Sequence, residues 1–154
     1  MKFNKLKSSI RDVKFGVNCT LVEPCNLYEC ILGDNVFIGP FVEITKGVKI
    51  GDNTRVSSHS FICDMVTIGE KCFIGHGVMF TNDLFKDGKI INDKSRWFET
   101  NIGDNVIVGS NSTILPVKIS SNIVIGAGSV VTKDLEIPGT YAGNPAKLIR
   151  KFNL

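Results

Sequence analysis

The sequence predicts an all-β fold: a parallel β-helix of hexapeptide repeats, with one long loop insertion and a short C-terminal helical tail. Three observations predict it. From Leu32, every sixth residue is apolar, through Ile38, Ile44, Ile50, Val56, Ile62, Ile68, Ile74 and Phe80. Four residues after the first eight of these stand small or β-branched residues: Val36, Val42, Val48, Thr54, Ser60, Val66, Cys72 and Val78. A corner recurs every 18 residues, as Gly33-Asp34-Asn35, Gly51-Asp52-Asn53 and Gly69-Glu70-Lys71, and reappears at Gly103-Asp104-Asn105.

A helix repeats every 3.6 residues and an isolated strand every 2, so neither explains a period of six. A short straight segment followed by a corner does. Three such segments close one triangular coil of about 18 residues, which is the spacing of the Gly-Asp-Asn corners. Gly and Asn best tolerate positive φ at such corners. Gly16-Val17-Asn18 marks a looser first coil from Phe15 to Ile31. The ladder resumes at Ile102, Val108 and Ile114, then continues through Ile119, Ile125 and Val131. Stacked coils bury this ladder as one linear core, and both ends then need covers. The tail is expected to be one cover, with a short helix from Lys147 to Phe152. Composition agrees: the chain has only three alanines, while Val, Ile, Phe and Thr are plentiful.

A length of 154 residues suits a β-helix domain over 1–135, with an inserted loop 83–101, and a capping tail over 136–154. A net charge of +3 forces no nucleic-acid or membrane-surface role. No apolar run approaches the roughly 18 residues that span a bilayer. The basic stretch Met1 to Lys14 lacks the apolar core of a signal peptide, so a cytoplasmic location is expected. The five cysteines include no C-x-x-C pair, and Cys19, Cys25 and Cys72 fall at small inward positions. Reduced, buried thiols are expected, rather than a disulfide frame or a zinc site.

The repeat breaks in three places. Between Leu27 and Leu32, and at Pro116-Val117-Lys118, one residue is missing and an adjusted corner suffices. The third break, from Phe80 to Ile102, is long and holds Thr81-Asn82-Asp83, Arg96 and the only Trp, Trp97. A loop of this length inside a regular solenoid is usually functional or disordered. An arm reaching a neighbouring subunit and a plain surface excursion both fit.

Three stretches then carry a family resemblance. Ile125-Gly126-Ala127-Gly128-Ser129-Val130-Val131-Thr132-Lys133-Asp134 resembles the last coil of the hexapeptide-repeat acyltransferases. Tyr141-Ala142-Gly143-Asn144-Pro145-Ala146-Lys147 resembles their coenzyme A-holding tail. Gly75-His76-Gly77-Val78-Met79-Phe80-Thr81-Asn82-Asp83 is similar to the subgroup that N-acetylates nucleotide-linked 3-amino sugars. The resemblance implies a left-handed winding, which general crossover rules would not supply. It also implies a homotrimer with active sites between subunits, acetyl-CoA as cosubstrate, a dTDP- or UDP-linked amino sugar as acceptor, and no metal.

In that reading Asn82 matches the family's active-site asparagine. Its amide both donates and accepts hydrogen bonds, so it could orient the amine or steady the oxyanion. Asp83 could bind the charged amine or fix Asn82. A sugar amine resembles an α-amino group, with pKa near ~8, so no strong base is required. A hydroxyl acceptor would need one, usually histidine. His76 is then either that base, a substrate ligand or an oriented turn residue; His59 reads as structural. Backbone groups at Gly109, Gly126, Ala127 and Ala142 could pair with the coenzyme arm. Lys133, Lys147 and Arg150 could meet its phosphates, and Arg96 and Trp97 the nucleotide. The alternative within the fold is an O-acetyltransferase using His76 as general base. A zinc enzyme like the carbonic anhydrases of this fold needs three histidines, and the chain has two. A non-catalytic scaffold is the remaining reading.

Overall fold

The computed structural model describes residues 10–85, 88–89, 93, 95 and 97–153. The chain winds through seven coils of short parallel strands. The first coil holds β1 (Ile10–Arg11), β2 (Lys14–Phe15) and β3 (Thr20–Leu21). The second holds β4 (Asn26–Tyr28), β5 (Ile31–Leu32) and β6 (Phe37–Ile38), and the third β7 (Glu43–Ile44), β8 (Lys49–Ile50) and β9 (Arg55–Val56). The fourth holds β10 (Phe61–Ile62), β11 (Val66–Ile68) and β12 (Phe73–Ile74). The fifth, split by the insertion, holds β13 (Met79–Phe80), β14 (Thr100–Ile102) and β15 (Ile107–Val108). The sixth holds β16 (Thr113–Ile114), β17 (Lys118–Ile119) and β18 (Ile123–Ile125); β19 (Val130–Val131) and β20 (Gly139–Ala142) belong to the seventh. Corresponding strands stack into three parallel sheets, one per face of the solenoid.

Register explains the ladder. Leu32 pairs with Ile50, Ile50 with Ile68, Ile68 with Ile102, and Ile102 with Ile119. Every ladder residue from Leu32 to Phe80 is buried, and so is each small residue four places on. The insertion does not disturb the stack, because β14 pairs directly with β11. Both short breaks are shortened corners: Leu27, Leu32, Ile114 and Ile119 all remain buried.

The Gly-Asp-Asn corner divides its work among three residues. The third residue takes the left-handed backbone: φ is 55° at Asn35, 57° at Asn53, 53° at Lys71 and 55° at Asn105. The glycine serves close stacking. A Cβ on Gly51 would lie 2.6 Å from the carbonyl carbon of Gly69 in the next coil. The aspartate ties coils together: Asp52 Oδ1 accepts the Asp34 N–H at 2.8 Å, and Asp104 Oδ1 accepts the Glu70 N–H at 2.8 Å.

The helix expected over Lys147 to Phe152 is corrected. Lys147–Lys151 forms strand β21, antiparallel to β20, with Ala142 opposite Lys147 and Gly139 opposite Lys151. Strand β20 ends its sheet and would leave an open edge, which β21 covers. Leu148 packs against the core while Ile149 is 67% exposed. No α-helix occurs among the described residues, and none is long and apolar enough to cross a membrane.

All five cysteines are free thiols; Cys30, Cys63 and Cys72 are buried, while Cys19 and Cys25 are half-buried. Burial pushes Cys30 up to about 11 and Cys63 up to about 12 from an ordinary value of 9.0. A folded-state pKa above the unfolded one gives stability that is whole below the unfolded value and lost as pH rises toward the folded value. The denaturant midpoint is therefore expected to fall between about pH 9 and pH 12, and to fall less steeply in Cys63→Ser. An equal slope in both proteins would show that Cys63 carries none of this dependence.

Candidate active site

The chain leaves the ladder just after β13. Thr81 is still stacked, its N–H donating to Ile114 O at 3.0 Å. The base of the insertion is closed by the Phe98 N–H, which donates to Asn82 O at 3.0 Å. Asp83 Oδ1 accepts the Phe85 N–H at 2.8 Å, a local turn that orients its carboxylate. These contacts place Asn82 and Asp83 beside a cavity of about 410 Å³. Trp97 returns from the far end of the insertion to line the same cavity, and Tyr28, Phe61 and Asp64 line it from lower coils. Arg96 lies outside the described residues.

Asp64 was not singled out by sequence reasoning. Phe61 pairs with Met79, so Asp64, three residues past Phe61, stands one coil below Asn82, three residues past Met79. The 18-residue spacing was the signal that could have found it. The buried Thr45 hydroxyl donates to the Asp64 carboxylate. Thr81 also lines the cavity, and its Oγ1 is buried with no hydrogen-bond partner among the described residues. Cys63 shares this wall. Its thiol is pushed up to about 12 by burial foremost and also by the Asp64 charge, so it is not a nucleophile near neutral pH.

His76 does not line this cavity. It lies at the corner before β13, whereas Asn82 lies beyond the other end of that strand. Its Nδ1 is 2.8 Å from Ser58 Oγ, and its backbone N–H donates to Ser110 Oγ at 3.1 Å. The ring is exposed and fixed by the coil below. His59 stacks on Phe41 with ring centroids 4.8 Å apart.

The same corner continues upward as a column of small residues. A Cβ on Gly109 would lie 2.4 Å from the Ala127 nitrogen, and one on Gly126 would lie 2.9 Å from the Ala142 Cβ. Gly109, Gly126 and Ala142 thus stack above Gly75 on three successive coils, and Ser110 and then Ala127 stack above His76. Lys147 joins this end through its pairing with Ala142. Arg150, also on β21, lies over the Phe152 ring at 5.4 Å. Lys133 is exposed just past β19.

Comparisons agree with this architecture. A family model described as bacterial transferase hexapeptide (six repeats) matches residues 29–64. Another, the hexapeptide repeat of succinyl-transferase, matches residues 99–133. The bifunctional protein GlmU of Streptococcus suis is 47% identical over 106 residues, covering 68% of this chain and 21% of GlmU. The chain thus spans about a fifth of that relative. A galactoside acetyltransferase solved with coenzyme A is 34% identical, with a TM-score of 0.68 over 79% of this chain and 64% of that one. Perosamine N-acetyltransferase from Caulobacter crescentus, solved as a histidine mutant with coenzyme A and GDP-perosamine, is 19% identical. Its TM-score is 0.67 over 89% of this chain and 57% of that chain, a likeness of fold alone. Hexapeptide-repeat models of bacterial transferases thus match the chain on both sides of the insertion.

Proposed function

We propose that the protein is an acetyl-CoA-dependent N-acetyltransferase that acetylates the amine of a dTDP- or UDP-linked amino sugar for surface glycan biosynthesis. The observation that carries this reading is the cavity at the solenoid's interruption. It unites Asn82 and Asp83 with the aromatic wall of Trp97, away from the one candidate base, His76. An amine acceptor suits that arrangement. With a pKa near ~8, its neutral form costs only about 1.4 kcal/mol to reach at pH 7. Asp83 holds the incoming ammonium, and Asn82 orients the neutral amine and steadies the oxyanion. The amine nitrogen bonds to the thioester carbonyl carbon to give a tetrahedral oxyanion; the carbonyl then re-forms as the C–S bond breaks, and the departing thiolate takes the amine's proton. Cys63, held as a thiol, forms no acyl intermediate.

The column Gly109, Gly126, Ala127 and Ala142 suits the amide-bearing arm of the coenzyme, because its backbone can be approached closely. Lys133, Lys147 and Arg150 meet the phosphates. His76 and Asn82 flank one face from opposite ends, and a homotrimer with active sites between subunits would let one chain's corner face another's insertion. Phe73 and Ile107, exposed partners on β12 and β15, are available for such packing. Left-handed winding, a cytoplasmic location and the division into a β-helix domain and a capping tail belong to the same proposal. So does a nucleotide contact by Trp97 and Arg96.

A second reading is an O-acetyltransferase with His76 as general base. The Ser58 contact favours it, because fixing Nδ1 presents Nε2 to an acceptor hydroxyl. His76→Ala separates the two. Loss of a general base costs about 100- to 10,000-fold, whereas the amine reading expects only partial loss. Near-complete loss on the true substrate would favour the O-acetyl reading and contradict ours.

A further inference from the structure

We propose that Asp64 reads the acceptor sugar, its carboxylate accepting a hydrogen bond from a hydroxyl on the ring carbon next to the reacting amine. This rests on the amino-sugar reading of the cavity and adds a selectivity to it. Asp64 lines the cavity with Asn82 and holds the equivalent place in the sequence of the coil below, three residues past the partner of Met79. Neighbouring strands lie about 4.8 Å apart, a separation that two adjacent substituents of one sugar ring can bridge while each keeps its own hydrogen bond. Asn82 then takes the amine and Asp64 the neighbouring hydroxyl.

The carboxylate is prepared for that task. The Thr45 hydroxyl, buried at 4% exposure, donates to it and fixes its orientation. Thr81 adds a second polar group on the same wall, its buried hydroxyl without a partner among the described residues. Tyr28, Phe61 and Trp97 supply aromatic walls. A charged acceptor in such surroundings disfavours an analogue lacking the donor, because the hydrogen bond given up by displaced water is then not replaced by one from the substrate.

The test uses the full chain and two nucleotide-linked amino sugars that differ only in the hydroxyl beside the amine. Wild-type kcat/KM is expected to favour the hydroxylated sugar by about 10- to 100-fold, the range of a hydrogen bond to a charged group. Asp64→Ala is expected to erase that preference through loss on the hydroxylated sugar, with KM for acetyl-CoA unchanged. Thr45→Val, which keeps the carboxylate but frees its orientation, is expected to shrink the preference and guards against a misfolded first variant. A wild-type enzyme indifferent to the hydroxyl, or equal losses on both sugars, overturns the assignment of Asp64 alone. No acetylation of either sugar by the wild type overturns the amino-sugar reading, and this assignment with it.

Discussion

Asn82→Ala is expected to lower kcat on the accepted amino sugar about 100- to 1000-fold, the usual cost of a lost oxyanion donor. This corresponds to about 3–4 kcal/mol in the transition state. The structure makes the variant informative. Asn82 holds the base of the insertion through its carbonyl oxygen, which accepts the Phe98 N–H. Truncating the side chain leaves that backbone bond in place, so the loss reports chemistry rather than a collapsed loop. Steady-state kinetics beside a thermal melt checks both halves of the expectation. The melt should stay close to wild type while kcat falls and KM for acetyl-CoA holds. Unchanged turnover would remove Asn82 from the site.

Gly51→Val is expected to destabilise the fold by about 3 kcal/mol, the upper part of the overpacking range. In a chain of this length that lowers Tm by roughly 6–12 °C. The cause is geometric. The Cβ would lie 2.6 Å from the carbonyl carbon and 2.7 Å from the carbonyl oxygen of Gly69, and 2.8 Å from the Glu70 nitrogen. All three are backbone atoms of the next coil, which cannot rotate away as a side chain would. Asn53, two residues on, is the control. Its φ of 57° suits glycine, so Asn53→Gly should be nearly neutral. A small effect at Gly51 would mean that the coils tolerate wider spacing at this corner.

The fold was legible because one linear core repeats one requirement. Each inward position needs an apolar residue of similar size, so a period of six marks Leu32 to Phe80 without gaps. The corners were legible in composition but not in mechanism. Asn53 and its equivalents carry the positive φ, while Gly51 is dictated by what the neighbouring coil brings against it, which a single segment does not reveal. The tail was misread for a related reason. Lys147 to Lys151 has modest helical character, but the open edge of β20 decides its form, and that edge exists only once the coils are stacked. Asn82 and Asp83 were visible as the point where the ladder stops. Asp64 was hidden inside a regular stretch, and only stacking brings it beneath Asn82. The family resemblance, not spacing, supplied Gly109, Gly126, Ala127 and Ala142 as proposed contacts of the coenzyme arm, and stacking sets them near one corner of the upper coils.

The most direct test is to incubate the purified protein with acetyl-CoA and a panel of dTDP- and UDP-linked amino sugars, and to measure acetyl mass gain by mass spectrometry. The expected result is one acetyl group on the amine of at least one nucleotide-linked amino sugar, with free coenzyme A released in equal amount. No mass gain on any amino sugar, or an acetyl ester on a hydroxyl instead of an amide, would contradict the proposed N-acetyltransferase.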